Sequence, residues 1–252
     1  MPVTKYGGGF YDNRHQITVH AARRILGIVS GVVPRVRSAV DVGCGVGTWL
    51  SVLGEMGSTD VLGLDGPWVD RRQLEIPEES FLEHDLNDEI DLDRRFDLAL
   101  ALEVAEHLHA RRARALVASL TRLSDFVLFS AAIPGQGGVG HVNEQWPPYW
   151  ISLFHAQGFV GVDIVRKRIW NDESIPFWYR QNILLFVKSE RTGDLKLDNL
   201  DDAIPGELYL LTFRRAISPS VRLAMHQLLI AVGQGIRRSF GRGPRSALNS
   251  TR

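Results

Sequence analysis

The sequence predicts an α/β fold, a sheet with helices on both faces, followed by a C-terminal helical extension. Three observations carry this prediction. Seven short apolar runs have strand length, segments of helical length separate most of them, and a glycine-rich turn, Asp41-Val-Gly-Cys-Gly-Val-Gly47, follows the first run. The chain has 252 residues, 44% hydrophobic and 23% charged, which excludes disordered, collagen-like and fibrous readings. That length fits one large domain with an appendage, or two small ones. No apolar stretch reaches the roughly 18 residues of a membrane-spanning helix. The N-terminus has no apolar core of a secretory signal, and the single cysteine, Cys44, excludes an intramolecular disulfide or a Cys-rich zinc site. A cytoplasmic, reducing setting is the expectation.

The first 15 residues are rich in Gly and aromatics and have neither period; residues 6–11 are expected to fold over a ligand as a lid or to remain disordered. Ile17, Ala21, Ile25 and Ile28/Val29 have helical spacing and predict a helix over residues 16–30, ended by Gly31 and Pro34. Residues 1–34 therefore form an N-terminal lid and helix. The strand candidates are SAVDV (38–42), DVLGLD (60–65), SFLEHD (80–85), FDLALALE (96–103), DFVLFSA (125–131), FVGVDIVRKRI (159–169) and ILLFVK (183–188). Helices are predicted at 48–56 and 110–123. Only a loop, 170–181, separates the last two strand candidates, so these are expected to pair antiparallel at one edge.

Residues 191–252 form a linker, a basic amphipathic helix and a flexible tail. The stretch 194–205 is polar and acidic; Ser218-Pro219 then supplies an N-cap and first turn, and Val221, Met225, Leu228/Leu229, Val232 and Ile236 follow at helical spacing. From residue 211 onward there are eight Arg and no Lys, Asp or Glu, so this tail carries +8 and the rest of the chain −8. The helix at 216–240 is expected to dock on the domain or on a second subunit, with an anionic membrane as the other partner class. A nucleic acid is not expected, because the tail lacks interleaved aromatics and the remaining chain is acidic.

Gly43, Gly45 and Gly47 allow a tight turn and the close approach of a ligand, and the following helix start suits a polar group. Taken alone, the loop also fits a nicotinamide dinucleotide. Two acids sharpen the reading. Asp65 ends the second strand, where a carboxylate can accept ribose hydroxyls; Asp85 ends the third, where a carboxylate suits an exocyclic amine such as adenine N6 and has no place in the dinucleotide pattern.

On these residues the chain resembles the class I S-adenosylmethionine-dependent methyltransferases over about residues 35–190. DVGCGVG (41–47) matches that family's first motif, Asp65 its ribose-binding acid, Asp85 in HDLND its adenine-binding acid, and FDLALALEVAEHL (96–108) its fourth-strand motif. The resemblance implies a Rossmann-like, seven-stranded, mostly parallel sheet with a late antiparallel hairpin, and S-adenosyl-L-methionine as cofactor. It implies a cofactor site formed by Asp41, Gly43, Gly45, Gly47, Asp65, Trp68, Asp85, Leu86 and Glu103, with Leu86 offering its amide and Trp68 covering the adenine.

Methyl transfer from a sulfonium is an in-line displacement, so the protein positions the acceptor, excludes water and, for an alcohol, takes up its proton. Glu103, Glu106 and His107 follow the fourth strand, with Glu103 and Glu106 expected on one face of a starting helix; these residues either face the reacting atoms or cap that helix. After the fifth strand, a loop with four glycines in six residues delivers His141, Asn143, Glu144 and Trp146. An imidazole accepts a proton near neutrality and a carboxylate three residues on can orient it, so His141 is the expected base and Glu144 its orienting group. GHVNEQWPPYW resembles a segment of bacterial methyltransferases, some of which modify sugars or envelope glycans. Trp146, Trp150, Trp170 and Trp178, with Tyr149 and Tyr179, form either an acceptor platform or the packing of a cap; Trp146, Trp150, Trp178, Tyr179 and His107 are the expected acceptor contacts. No metal-binding constellation stands out from spacing along the chain. The expected activity is O-methylation of a sugar, glycan precursor or other small metabolite. The alternatives are N-methylation of a small molecule and a non-catalytic scaffold on the same fold.

Overall fold

Apolar runs without a polar face need cover on both sides, and the two all-buried strands, β4 (Leu98–Leu102) and β5 (Phe126–Ser130), lie inside a seven-stranded sheet. The computed structural model describes residues 8–196. The 216–240 helix and most of the linker before it lie outside the described residues. The other strands are β1 (Ser38–Val42), β2 (Asp60–Asp65), β3 (Phe81–Glu83), β6 (Phe159–Val162) and β7 (Leu184–Lys188). Their order is β3-β2-β1-β4-β5-β7-β6. The first five strands are parallel; β7 runs antiparallel to both β5 and β6, so β6 forms the edge and the expected late hairpin is present. The order reverses between β1 and β4, which opens a crevice at the carboxyl ends of those two strands.

Among the described residues, six α-helices flank the sheet: α1 (Gly8–Val32), α2 (Thr48–Glu55), α3 (Ala113–Leu123), α4 (Pro147–Ala156), α5 (Ile164–Ile169) and α6 (Phe177–Asn182). The N-terminal helix belongs to the main core, since Ala21, Ala22, Ile25, Leu26 and Val29 are all fully buried. It begins at Gly8 rather than at residue 16, so the backbone from Gly8 is helical where a lid or disorder was expected. Once a helix is nucleated, each further residue adds a hydrogen bond, and a glycine-rich lead-in can be absorbed.

A second correction concerns residues 159–169. The strand stops at Val162 and the rest of that run is α5. Its β-branched composition favours a strand, but Asp163 and Arg166 are buried and paired at a spacing of three, which a helical turn satisfies. The stretch expected as a plain loop, 170–181, likewise ends in α6.

Under α4 the core is aromatic. Phe154 and Phe186 stack with centroids 3.8 Å apart, and Phe129 meets both edge-on. Phe186 is fully buried on β7, which bridges β5 and β6. Phe186→Ala is expected to destabilise the protein by about 3–5 kcal/mol, read as a lower urea midpoint at unchanged m-value.

Candidate active site

The turn after β1 is shaped by neighbours that leave no room for side chains. Gly43, Gly45 and Gly47 all have positive φ, of 83°, 56° and 86°. A Cβ at Gly43 would stand 2.4 Å from Val104 Cγ2, and one at Gly47 would stand 2.9 Å from Ile76, whereas at Gly45 it would meet nothing. The turn is fastened to β2 by the Gly43 and Cys44 amides, which both donate to the Leu64 carbonyl, at 2.7 and 3.1 Å. Cys44 is buried, and burial pushes its thiol pKa up, so it is no nucleophile.

Asp65 closes the loop from the far side. Its two oxygens accept from the Gly45 and Gly66 amides, each at 2.7 Å. Burial raises its pKa; these two amides and the Trp68 side chain offset part of that shift. Each carboxylate oxygen keeps a second lone pair for a hydroxyl. Asp41 is buried beside it, and burial, with Asp65's charge adding, holds its carboxyl up to about 7. Neither acid forms an ion pair with a described cation.

Asp41, Gly43, Gly45, Asp65 and Trp68 line a cavity of about 380 Å3, together with His15 and Thr18 of α1. Trp68 is 71% exposed at its rim, its ring lying over Gly66. The acids decide between ligands. A sulfonium with an α-ammonium group carries positive charge into a pocket with two buried carboxylates, whereas the pyrophosphate of a nicotinamide cofactor would meet repulsion there. The residues present therefore fit S-adenosylmethionine.

The Asp41 shift has a consequence for stability. A carboxyl with pKa about 7 folded and an ordinary value unfolded releases its proton more readily on unfolding. Its cost to the folded state therefore grows as pH rises from about 4 to 7 and levels off above that. Asp41→Asn removes it, so the variant should gain stability over the parent by about 2 kcal/mol more at pH 8 than at pH 5, checked by denaturant titration at both values.

A second cavity, of about 570 Å3, adjoins the first; Thr18 and Tyr179 line both. Its polar wall comes from the β4 end and from the loop after β5. Glu103 follows β4 directly with φ +56°, a strained value for a residue with a side chain, and its carboxylate accepts from Gln136 Nε2 (3.0 Å) and Asn182 Nδ2 (3.3 Å). Ala105–His107 is a single 3-10 turn, not the start of a helix, so Glu103 and Glu106 do not share a helical face as expected; α3 begins only at Ala113. Burial raises Glu103, and raises Glu106 to about 8 with Glu103's charge adding.

The loop after β5 folds back on that turn, as the Val142 and Asn143 amides donate to the Glu106 carbonyl at 2.8 and 3.0 Å. His141 is thereby set against His107, ring centroids 4.9 Å apart and nearly perpendicular. His141 Nδ1 lies 2.9 Å from Glu144 Oε1, and Glu144 also accepts from the Gly135 and Gly137 amides at 2.8 and 2.9 Å. Burial pulls Glu144's pKa up, but these hydrogen bonds outweigh it and hold the carboxyl below its ordinary value. A charged acceptor at Nδ1 favours the tautomer with its proton there, which leaves Nε2 free. Gly138 has no side chain because His141 occupies its place: a Cβ would stand 2.2 Å from Nε2.

The aromatic residues divide. Trp178 and Tyr179 line the second cavity, as does Phe177, which sequence reasoning passed over. Trp150 is a core residue, 2% exposed and packed on Phe129, so it presents no surface to an acceptor as expected for it. Trp146 caps α4 and is not among the residues lining either cavity. Asp85 lies two residues beyond the end of β3 and is exposed; its carboxylate is turned to the Asn87 amide (2.9 Å) and side chain (3.0 Å). Asp85 and the buried Leu86 stand outside the lining of the first cavity. Gln136 and Asn182, which hold Glu103, carry no motif signal of their own.

The glycine turn, the acid at the end of β2 and the crevice at the sheet's reversal define a class I S-adenosylmethionine-dependent methyltransferase fold. The model of the family described as "Methyltransferase domain" matches residues 14–162, more than half of the chain, and the chain belongs to that family; its cofactor is S-adenosylmethionine. Solved structures agree on the fold. The pyocyanin biosynthetic protein PhzM superposes with a TM-score of 0.53 at 15% identity, over 74% of this chain and 59% of that one. Magnesium protoporphyrin IX methyltransferase from Synechocystis PCC 6803, with S-adenosylhomocysteine bound, gives 0.50 at 19% identity, over 75% and 90%. An O-methyltransferase family protein from Burkholderia thailandensis gives 0.50 at 15%, over 71% and 57%, so the chain spans little more than half the length of several of these neighbours. No curated protein sequence matches the chain. Among the described residues, no helix is long and apolar enough to cross a membrane.

Proposed function

We propose that this protein transfers the methyl group of S-adenosylmethionine to a hydroxyl of a small acceptor: a sugar, a glycan precursor or another small metabolite. The observation that carries the reading is His141, in the wall of the second cavity and bonded through Nδ1 to Glu144, next to the cavity that fits the cofactor. An alcohol is a poor nucleophile until its proton is accepted, and His141 Nε2 is a free acceptor held in orientation from its far side. Glu103 lines the same cavity as His141. His107, Trp178 and Tyr179 form the acceptor wall, with the aromatic rings offering flat apolar surface to a sugar face.

The O-methyltransferase family protein from Burkholderia thailandensis shares the fold, and hydroxyl transfer is compatible with that likeness. A panel of sugars, nucleotide sugars, phenols and amines, incubated with methyl-labelled S-adenosylmethionine, tests this directly. Label is expected in hydroxyl acceptors, as ethers stable to mild base. Label confined to amines would replace the reading with N-methylation.

A further inference from the structure

Glu106, His107 and His141 each offer one ligand atom, and these atoms all lie within 4.8 Å of one another. Spacing along the chain hides this set, because His141 arrives from another loop. The cluster is built: the Val142 and Asn143 amides bond the Glu106 carbonyl, and Asn143 Nδ2 donates to the Ala105 carbonyl at 3.3 Å. Both imidazoles are also held at the side away from the cluster. His141 Nδ1 is bonded to Glu144, and the Gly140 backbone accepts a hydrogen bond from the His107 ring. Metal-bound histidines are oriented in this way, with one nitrogen fixed by a carboxylate or carbonyl and the other presented.

A second observation bears on a cation at this place. Glu106 is fully buried, and the backbone of Glu106 and Ala132 approaches its carboxyl without closing a hydrogen bond of regular geometry. A buried carboxylate without such partners is costly, and a cation beside it would satisfy it.

We propose that Glu106, His107 and His141 bind one divalent transition-metal ion of the Zn2+ type. Two imidazoles and one carboxylate are donors for Zn2+, Co2+, Ni2+ or Fe2+ rather than for Mg2+ or Ca2+, which take oxygen. Three protein ligands leave a coordination position open towards the 570 Å3 cavity that all three residues line. The inference deepens the proposed reading, because a metal and an acceptor's proton draw on the same Nε2 lone pair; in metal-loaded protein His141 is a ligand, and the role of base applies to the metal-free form.

Binding is read without turnover, so the metal site and the methyl-transfer reading can fail separately. Full-length protein freed of metal by a chelator is titrated calorimetrically with ZnCl2 alone. One ion per chain is expected, with affinity falling at least about tenfold in His107→Ala and in Glu106→Gln and unchanged in His109→Ala, an exposed histidine outside the cluster. Co2+ should give a visible ligand-field band that His107→Ala loses. His107 is exposed, and retained S-adenosylhomocysteine binding verifies that each variant is folded. Absence of stoichiometric binding, or binding that His107→Ala leaves unaltered, overturns the proposal.

Discussion

Replacing His141 by Ala is expected to lower kcat about 10²–10⁴-fold with the acceptor that the panel identifies, while S-adenosylhomocysteine binding stays at the parent's value. The asymmetry follows from position. His141 lines only the acceptor-side cavity, and none of the contacts at the glycine turn depends on it. Glu144→Gln separates two jobs of one carboxylate. The variant keeps one oxygen, enough for only one of the Gly135 and Gly137 amides, and loses the charge that fixes the His141 tautomer. Its kcat should fall less than that of His141→Ala, with KM nearly constant. An unchanged kcat in His141→Ala would remove the imidazole from the chemistry.

Asp65→Ala should raise the Kd of S-adenosylhomocysteine by about 100-fold or more. Hydrogen bonds to a charged group contribute about 1.5–3 kcal/mol each, and every 1.4 kcal/mol is a factor of ten. The loss includes the ligand's contacts and the order of the loop, because the Gly45 and Gly66 amides lose their acceptor together. Asp65→Asn should fall between, since its amide group faces one of those N–H groups donor to donor. Calorimetry on both variants, with the fold verified by circular dichroism, checks the order. A Kd for Asp65→Ala within threefold of the parent would place the ligand elsewhere.

The two halves of the site were unequally legible. The cofactor side is local: a strand, a glycine turn and a helix start lie within residues 38–55, so DVGCGVG announces the geometry that the positive φ angles and the blocked Cβ positions require. Asp65 was equally readable, being the last residue of its strand. Asp85 was not, because β3 is only three residues long and the chain leaves it before the acid. The acceptor side depends on long-range contacts. Glu103 is held by Gln136 and Asn182, 33 and 79 residues away, and Glu106 meets His141 only because the loop after β5 bonds back to its carbonyl. The pairing of His141 with Glu144, by contrast, was visible as a three-residue spacing and is realised at 2.9 Å. Among the tryptophans, clustering in sequence did not separate the core ring of Trp150 from the cavity ring of Trp178, since burial depends on which face of α4 or α6 meets the sheet. The residue run 159–169 misled for a related reason: β-branched residues favour a strand until a buried ion pair makes a helical turn the better arrangement.

The central claim is that the cavity behind the glycine turn takes an S-adenosyl compound and excludes a dinucleotide. Calorimetric titration of the purified protein with S-adenosylhomocysteine and, separately, with NADH tests it most directly. Saturable one-to-one binding of S-adenosylhomocysteine, with no heat from NADH, is the predicted result. Binding of NADH in place of S-adenosylhomocysteine would contradict the account, because two buried carboxylates facing a pyrophosphate could not then be the feature that selects the ligand.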